Sequence, residues 1–306
     1  VKSFQDMLKQ INRNHPPEVA IALAEDKEVL LAVKEAIDLG IARFHLVGNQ
    51  KKIIELLQEL AIDKDQVKVI NEEDPIRASR KAIELVHLGE AQIVMKGLVP
   101  TATILKAVLD KEVGLRTSGL ISHVAVFEAK EYSKLFMVTD AAMNIAPTLE
   151  QKVQIIENAV EFAYSLGISL PKVAPIAAIE TINSNMAATI DAAVLSKMAD
   201  RGQIQGVIID GPLALDNAIS LEAAKHKGIM SQVAGDADIL LVPNIEVGNV
   251  LYKSLVYFAK AKVGAIVLGA KAPIVLTSRA DSRETKLLSI CLAVFLVQNK
   301  KINRYF

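Results

Sequence analysis

The chain has 306 residues, 51% of them hydrophobic, and its 35 Lys and Arg are balanced by 35 Asp and Glu. This length suits two domains with sizeable cores, and zero net charge excludes the broad basic footprint that holds nucleic acid. The single cysteine, Cys291, excludes an internal disulfide and fits a reducing, cytoplasmic setting.

In chain order, Val1 to Ile11 is amphipathic and does not read as a signal peptide. Short Val- and Ile-rich runs follow: Val19–Ala24, Phe44–Gly48, Val67–Ile70, Ile93–Met95, Ile121–Phe127 and Leu135–Val138. The second half adds Val173–Ile179, Val207–Ile209, Ile239–Val242, Ala265–Leu268 and Ile274–Leu276. Segments of helical period lie between them, among them Lys27–Leu39, Leu149–Leu166 and Ser184–Met198. Strand–helix alternation predicts an α/β chain with mostly parallel sheets. With aromatics at only 4%, its cores must be aliphatic, as buried parallel sheets usually are. Ile121 to Val138 holds two apolar runs around the polar stretch Glu128–Lys134, which predicts an antiparallel pair or a crossing between domains. The longest apolar run, Leu287 to Val297, is well short of the ~18 residues of a membrane span, and no membrane association is expected. It makes Cys291 a buried structural thiol.

Ligands of open parallel sheets bind beyond the carboxyl ends of strands, so polar strings after apolar runs are the places to search. The strongest is Thr277 to Glu284, between the last strand and the last helix. Arg279 offers a planar fork for phosphate, Ser278 a neutral donor, and Asp281 and Glu284 are possible bases. The plainer reading makes Asp281 the helix N-cap, with Glu284 in the first turn. A second string carries Lys96, Gly97, Thr101, Thr103 and Lys106: a turn, a capping threonine and two cations. A third runs from Pro243 to Lys253, with Gly248 and Asn249 where strand passes to helix, Asn249 and Lys253 on one face, and Tyr252 beside them. A fourth group joins Asp210-Gly211-Pro212 and Asp216 to Thr139-Asp140, Asn144 and Pro147. The five histidines lack metal-ligand spacing, so no metal site is expected. Neither a Walker loop nor a dinucleotide fingerprint is present.

Taken together, TDAAMNIAP (Thr139–Pro147), DGPLALD (Asp210–Asp216), AGDADILLVPNIEVGNVLYK (Ala234–Lys253) and TSRADS (Thr277–Ser282) resemble the phosphate acetyl/butyryl transferase family. The resemblance implies two α/β domains of isocitrate/isopropylmalate dehydrogenase-like form with a cleft between them. The first would be 1–138 plus 271–306 and the second 139–270. It implies a homodimer, no bound cofactor, and coenzyme A, acyl-CoA, phosphate and acyl phosphate as the small molecules handled. Position by position, Ser278 and Arg279 match the family's reacting serine and arginine. Gly248, Asn249, Tyr252 and Lys253 match its segment near the cleft. Two departures from the acetyl enzymes, Lys106 for an arginine and Thr285 for an aspartate seven residues after the serine, favour the butyryl branch. Acetyl transfer, a dehydrogenase of similar fold and a non-catalytic coenzyme A-binding relative remain as alternative readings.

Overall fold

This computed structural model describes residues 1–278 and 280–299. Arg279 lies outside them. In chain order the strands are β1 (Glu18–Ala22), β2 (Arg43–Gly48), β3 (Val67–Asn71), β4 (Ile93–Lys96), β5 (Ser122–Glu128) and β6 (Phe136–Thr139). They continue as β7 (Lys172–Pro175), β8 (Ile208–Ile209), β9 (Ile239–Leu241), β10 (Lys262–Leu268) and β11 (Ile274–Val275). Each coincides with a predicted apolar run, with shifts at the ends. The largest shift is at β7, where regular pairing ends at Pro175, although Ile176 and Ala177 still donate to the carbonyls of Leu241 and Leu213.

The chain forms two compact units. One comprises Met7–Gly119 and Gly264–Asn299, the other Val1–Asp6 and Leu120–Val263. Sequence alone puts the cuts near 138 and 270.

In the first unit the strand order is β3-β2-β1-β4-β11-β10. Pairing is parallel from β3 to β11, with Val19 opposite Phe44 and Ile93, and Val275 opposite Met95. β10 alone runs antiparallel to β11. Helices follow β1 to β3, with Asp26, Asn49 and Asp74 each accepting a first-turn N–H as N-cap. Helix Lys27–Asp38 buries Val29, Leu30, Ala32, Val33 and Ala36 on one face. Each large side chain so buried contributes roughly 1.5–3 kcal/mol. Against it packs helix Arg283–Asn299, whose stretch from Leu288 to Leu296 is buried throughout. Cys291 lies in that stretch, and burial pushes its thiol up to about 12.

The second unit has the order β5-β6-β9-β7-β8. β5 and β6 form the expected antiparallel pair, with Val124 opposite Thr139; the others are parallel. Helix Leu149–Ser165 opens with a full capping box, Thr148 and Gln151 exchanging side-chain and backbone bonds. Phe127 and Phe136 stack on adjacent strands at 5.6 Å between ring centres. Among the described residues, no helix is long and apolar enough to cross a membrane.

Candidate active site

The registers bring two of the four strings to one sheet edge. β4 and β11 are parallel neighbours, so their carboxyl ends, leading to Gly97 and Ser278, lie side by side. Gly97 is required there. Its N–H donates to the carbonyl of Ala22 at 2.9 Å, and a Cβ on it would overlap the carbonyl oxygen of Leu23. Helix Thr101–Val108 follows. The capping role expected of Thr101 or Thr103 is not found: Pro100 holds the N-cap without a side-chain bond, since its fixed φ already starts the helix. Thr101 and Lys106 are exposed and Thr103 half-buried. Lys96, buried at the end of β4, points Nζ at the carbonyl of Gly97 at 3.2 Å.

The string after β11 is a self-held turn. The Asp281 carboxylate accepts the Ser278 N–H at 2.6 Å, and Asp281 N–H donates to the Ser278 carbonyl at 3.2 Å. Ser278 Oγ accepts from Ala280 N–H at 3.2 Å, which leaves its own proton to donate. Ser278 is exposed and Asp281 half-buried. Asp281 is therefore not the N-cap of the last helix, as the plainer reading had it. Ser282 takes that role, accepting from Thr285 N–H at 3.1 Å, while Asp281 has turned back onto the loop. Glu284 is exposed in the first turn. Sequence reasoning missed Lys286. It is 2% exposed, and its Nζ donates to the carbonyl of Asp281 at 2.6 Å and approaches that of Ser278 at 3.4 Å.

In the second unit the strings after β6 and β9 also meet. Asp140, 2% exposed, accepts from Ala142 and Met143 N–H, both at 2.9 Å, on one oxygen. Its other oxygen accepts from Asn144 Nδ2 at 2.6 Å. Asn144 Nδ2 also donates to Ile121 O at 2.9 Å. Gly248 fits against this turn: an added Cβ would lie 2.8 Å from both Ala141 Cα and Asp140 O. Gly248 and Asn249 do not mark the strand–helix handover. Asn244 caps helix Ile245–Tyr257 one turn earlier, its side-chain oxygen reaching forward to accept the Val247 N–H at 3.0 Å. Asn249 and Lys253, four apart on this helix, are both exposed. Tyr252 packs edge-on against Phe127 at 5.5 Å and His123 at 6.2 Å.

Asp210 and Asp216 are not brought to a strand-end cluster of this kind. Asp216 lies 3.6 Å from Lys227, which also pairs with Glu180 at 3.2 Å. Among the described residues, no three His, Cys, Asp or Glu side chains are placed to hold a metal ion. The chemistry offered is donors, cations and one carboxylate at strand ends, suited to an anionic ligand and a developing oxyanion.

A family profile described as "Phosphate acetyl/butaryl transferase" matches residues 75–294. A phosphate butyryltransferase of Clostridium acetobutylicum is 51% identical over 98% of this chain and 100% of its own length. A phosphate acetyltransferase of Thermotoga maritima is 45% identical over 95% of this chain and 99% of its own. A crystal structure of a branched-chain phosphotransacylase from Enterococcus faecalis V583 superposes with a TM-score of 0.84 at 38% identity, covering 92% of this chain and 99% of that one.

Proposed function

The chain belongs to the phosphate acetyl/butaryl transferase family, and we propose that it moves a short acyl group, butanoyl or a branched equivalent, between coenzyme A and inorganic phosphate. The observation that carries the chemistry is the turn after β11, where Ser278 is exposed and, among the described residues, its hydroxyl proton has no acceptor. Butanoyl is favoured by the similarity to a butyryltransferase and by Lys106 and Thr285, where acetyl enzymes carry other residues.

In the acyl-phosphate-forming direction, a phosphate oxygen attacks the thioester carbonyl. The tetrahedral oxyanion collapses, the carbon–sulfur bond breaks, and coenzyme A leaves as a thiolate that takes up a proton. The reverse reaction needs that proton removed, a modest task for a thiol with pKa near ~8.5. Transfer is direct, in a ternary complex; holding the reactants aligned is worth on the order of 7–11 kcal/mol. Arg279 binds phosphate. Ser278 donates to the oxyanion or departing thiolate. Asp281 is the base, with one carboxylate oxygen holding the loop and the other left for a proton; Glu284 is the alternative. Lys106 and Lys253 contact the phosphates of substrate or coenzyme. Thr101, Thr103, Asn249 and Tyr252 line the bound molecules, while Gly97 and Gly248 let backbone approach closely and Asn144 fixes its loop. The protein works as a cytoplasmic homodimer in short-chain fatty acid metabolism, without a bound cofactor.

Thiol release from butanoyl-CoA in the presence of phosphate tests this reading. Turnover should exceed that with acetyl-CoA, and isobutanoyl-CoA should also react. Preference for acetyl-CoA would select acetyl transfer, the second reading, which the acetyltransferase relative supports. Coenzyme A binding without turnover would leave a non-catalytic binder.

A further inference from the structure

We infer that the first unit carries a second anion site, suited to a polyphosphate group, at the amino ends of β1, β2 and β3. A cavity of about 560 Å³ opens there, lined by the cations Arg13, Arg43 and Lys68 and the carboxylates Glu18 and Asp65. Among the described residues, neither Arg13 nor Lys68 has an ion-pair partner. Arg43 reaches Glu18 only at 4.0 Å. The other Glu18 oxygen lies 3.3 Å from Nε2 of His45, a ring only 2% exposed. Glu18 and Asp65 are thus two carboxylates set against three cations, an excess of one positive charge.

The number of cations selects the ligand, which must carry several anionic groups spread along its length. Arg43 opens β2 and Lys68 lies on β3 opposite His45, so the two charges come from adjacent strands and from levels two residues apart. Two guanidinium groups can each grip a phosphate through paired N–H bonds. A single carboxylate could not reach all three.

The site is distinct from the strand ends already described. β1 to β4 are parallel, so their amino ends lie on the edge opposite Gly97 and Ser278. A strand of about five residues separates the edges by roughly 15 Å. The inference does not depend on acyl transfer, and a ligand held here leaves the reacting groups free.

Calorimetric titration of the full chain with tripolyphosphate tests it. One equivalent should bind, and Ser278→Ala and Lys253→Ala should leave that binding intact. The double variant Arg13→Ala/Lys68→Ala should raise the Kd at least tenfold, with unchanged Tm and unchanged kcat for thiol release. Lys68→Glu alone should weaken binding further than Lys68→Ala. Titration with ATP separates the sources of the group: equal affinity indicates a free polyphosphate chain, tighter binding a nucleotide. The proposal is overturned if no heat appears at millimolar tripolyphosphate, if the double variant binds like the natural chain, or if Lys253→Ala abolishes binding.

Discussion

The loop after β6 and the loop after β11 both follow a strand end and both centre on an aspartate, yet they use it differently. Asp140 is buried and spends both oxygens on neighbouring N–H groups and on Asn144. Asp281 is half-buried, spends one oxygen on the Ser278 N–H, and leaves Ser278 exposed. The first loop is a scaffold whose polar groups satisfy one another. The second is braced from beneath by Lys286 and presents its groups outward. An aspartate at a strand end thus does not by itself mark chemistry; the number of its oxygens already occupied does.

The sharpest test of the contrast is Gly248→Ala, which would push a methyl into backbone on two sides of the Asp140 loop. A loss of about 3 kcal/mol or more is expected, read as a large drop in Tm with activity falling in step. Nearly as large is Asp140→Ala. It strands two N–H groups, each costing about 1–3 kcal/mol, while Asn144 keeps its bond to Ile121 O, and chemical denaturation should show it. A stable but inactive Asp140→Ala protein would make this loop catalytic and erase the distinction. Substitutions in the other loop should behave in the opposite way. Arg279→Ala should lower turnover at least tenfold, since a charge-assisted contact is typically worth ~1.5–3 kcal/mol, while Tm stays within a degree or two. Near-normal turnover would remove Arg279 from the reaction.

The smallest effect guards the pH profile of these variants. His45 is held below its ordinary pKa, chiefly by burial and then by Lys68 nearby. The unfolded chain therefore takes up a proton first as pH falls below about 6.5. Stability from the neutral ring is complete above that value and declines below it, down towards the folded pKa. Tm should decline from pH 6.5 to 5, and His45→Gln should flatten the decline. An identical decline in that variant would assign acid sensitivity to other groups, and activity lost in acid could then not be ascribed to His45.

The strands were legible because a buried parallel strand needs a continuous aliphatic run, and this chain supplies one for each. The antiparallel pair was legible too, since Glu128 to Lys134 is too short and polar for a crossover helix. Caps were harder. Pro100, Asn244 and Ser282 hold positions that sequence reasoning gave elsewhere or did not assign, because several residues at each helix start can cap and only the backbone path decides. Lys286 escaped because its partners are carbonyls, which leave no mark in a sequence. The strings themselves, Gly97, Asp140, Gly248 and Ser278, were found by looking just past strand ends. What each does there depends on close approach, as with Gly97 under Leu23, and no spacing pattern records that.

The unit that holds Ser278 is assembled from Met7–Gly119 and Gly264–Asn299, with β11 inserted beside β4. During synthesis, β4 must wait for its neighbour while all of Leu120–Val263 leaves the ribosome. At ~5–20 residues per second that delay is on the order of ten seconds. Through it an aliphatic strand edge stands open, the state chaperones recognise, and the turn at Ser278 cannot form before the residues after Val263 have emerged.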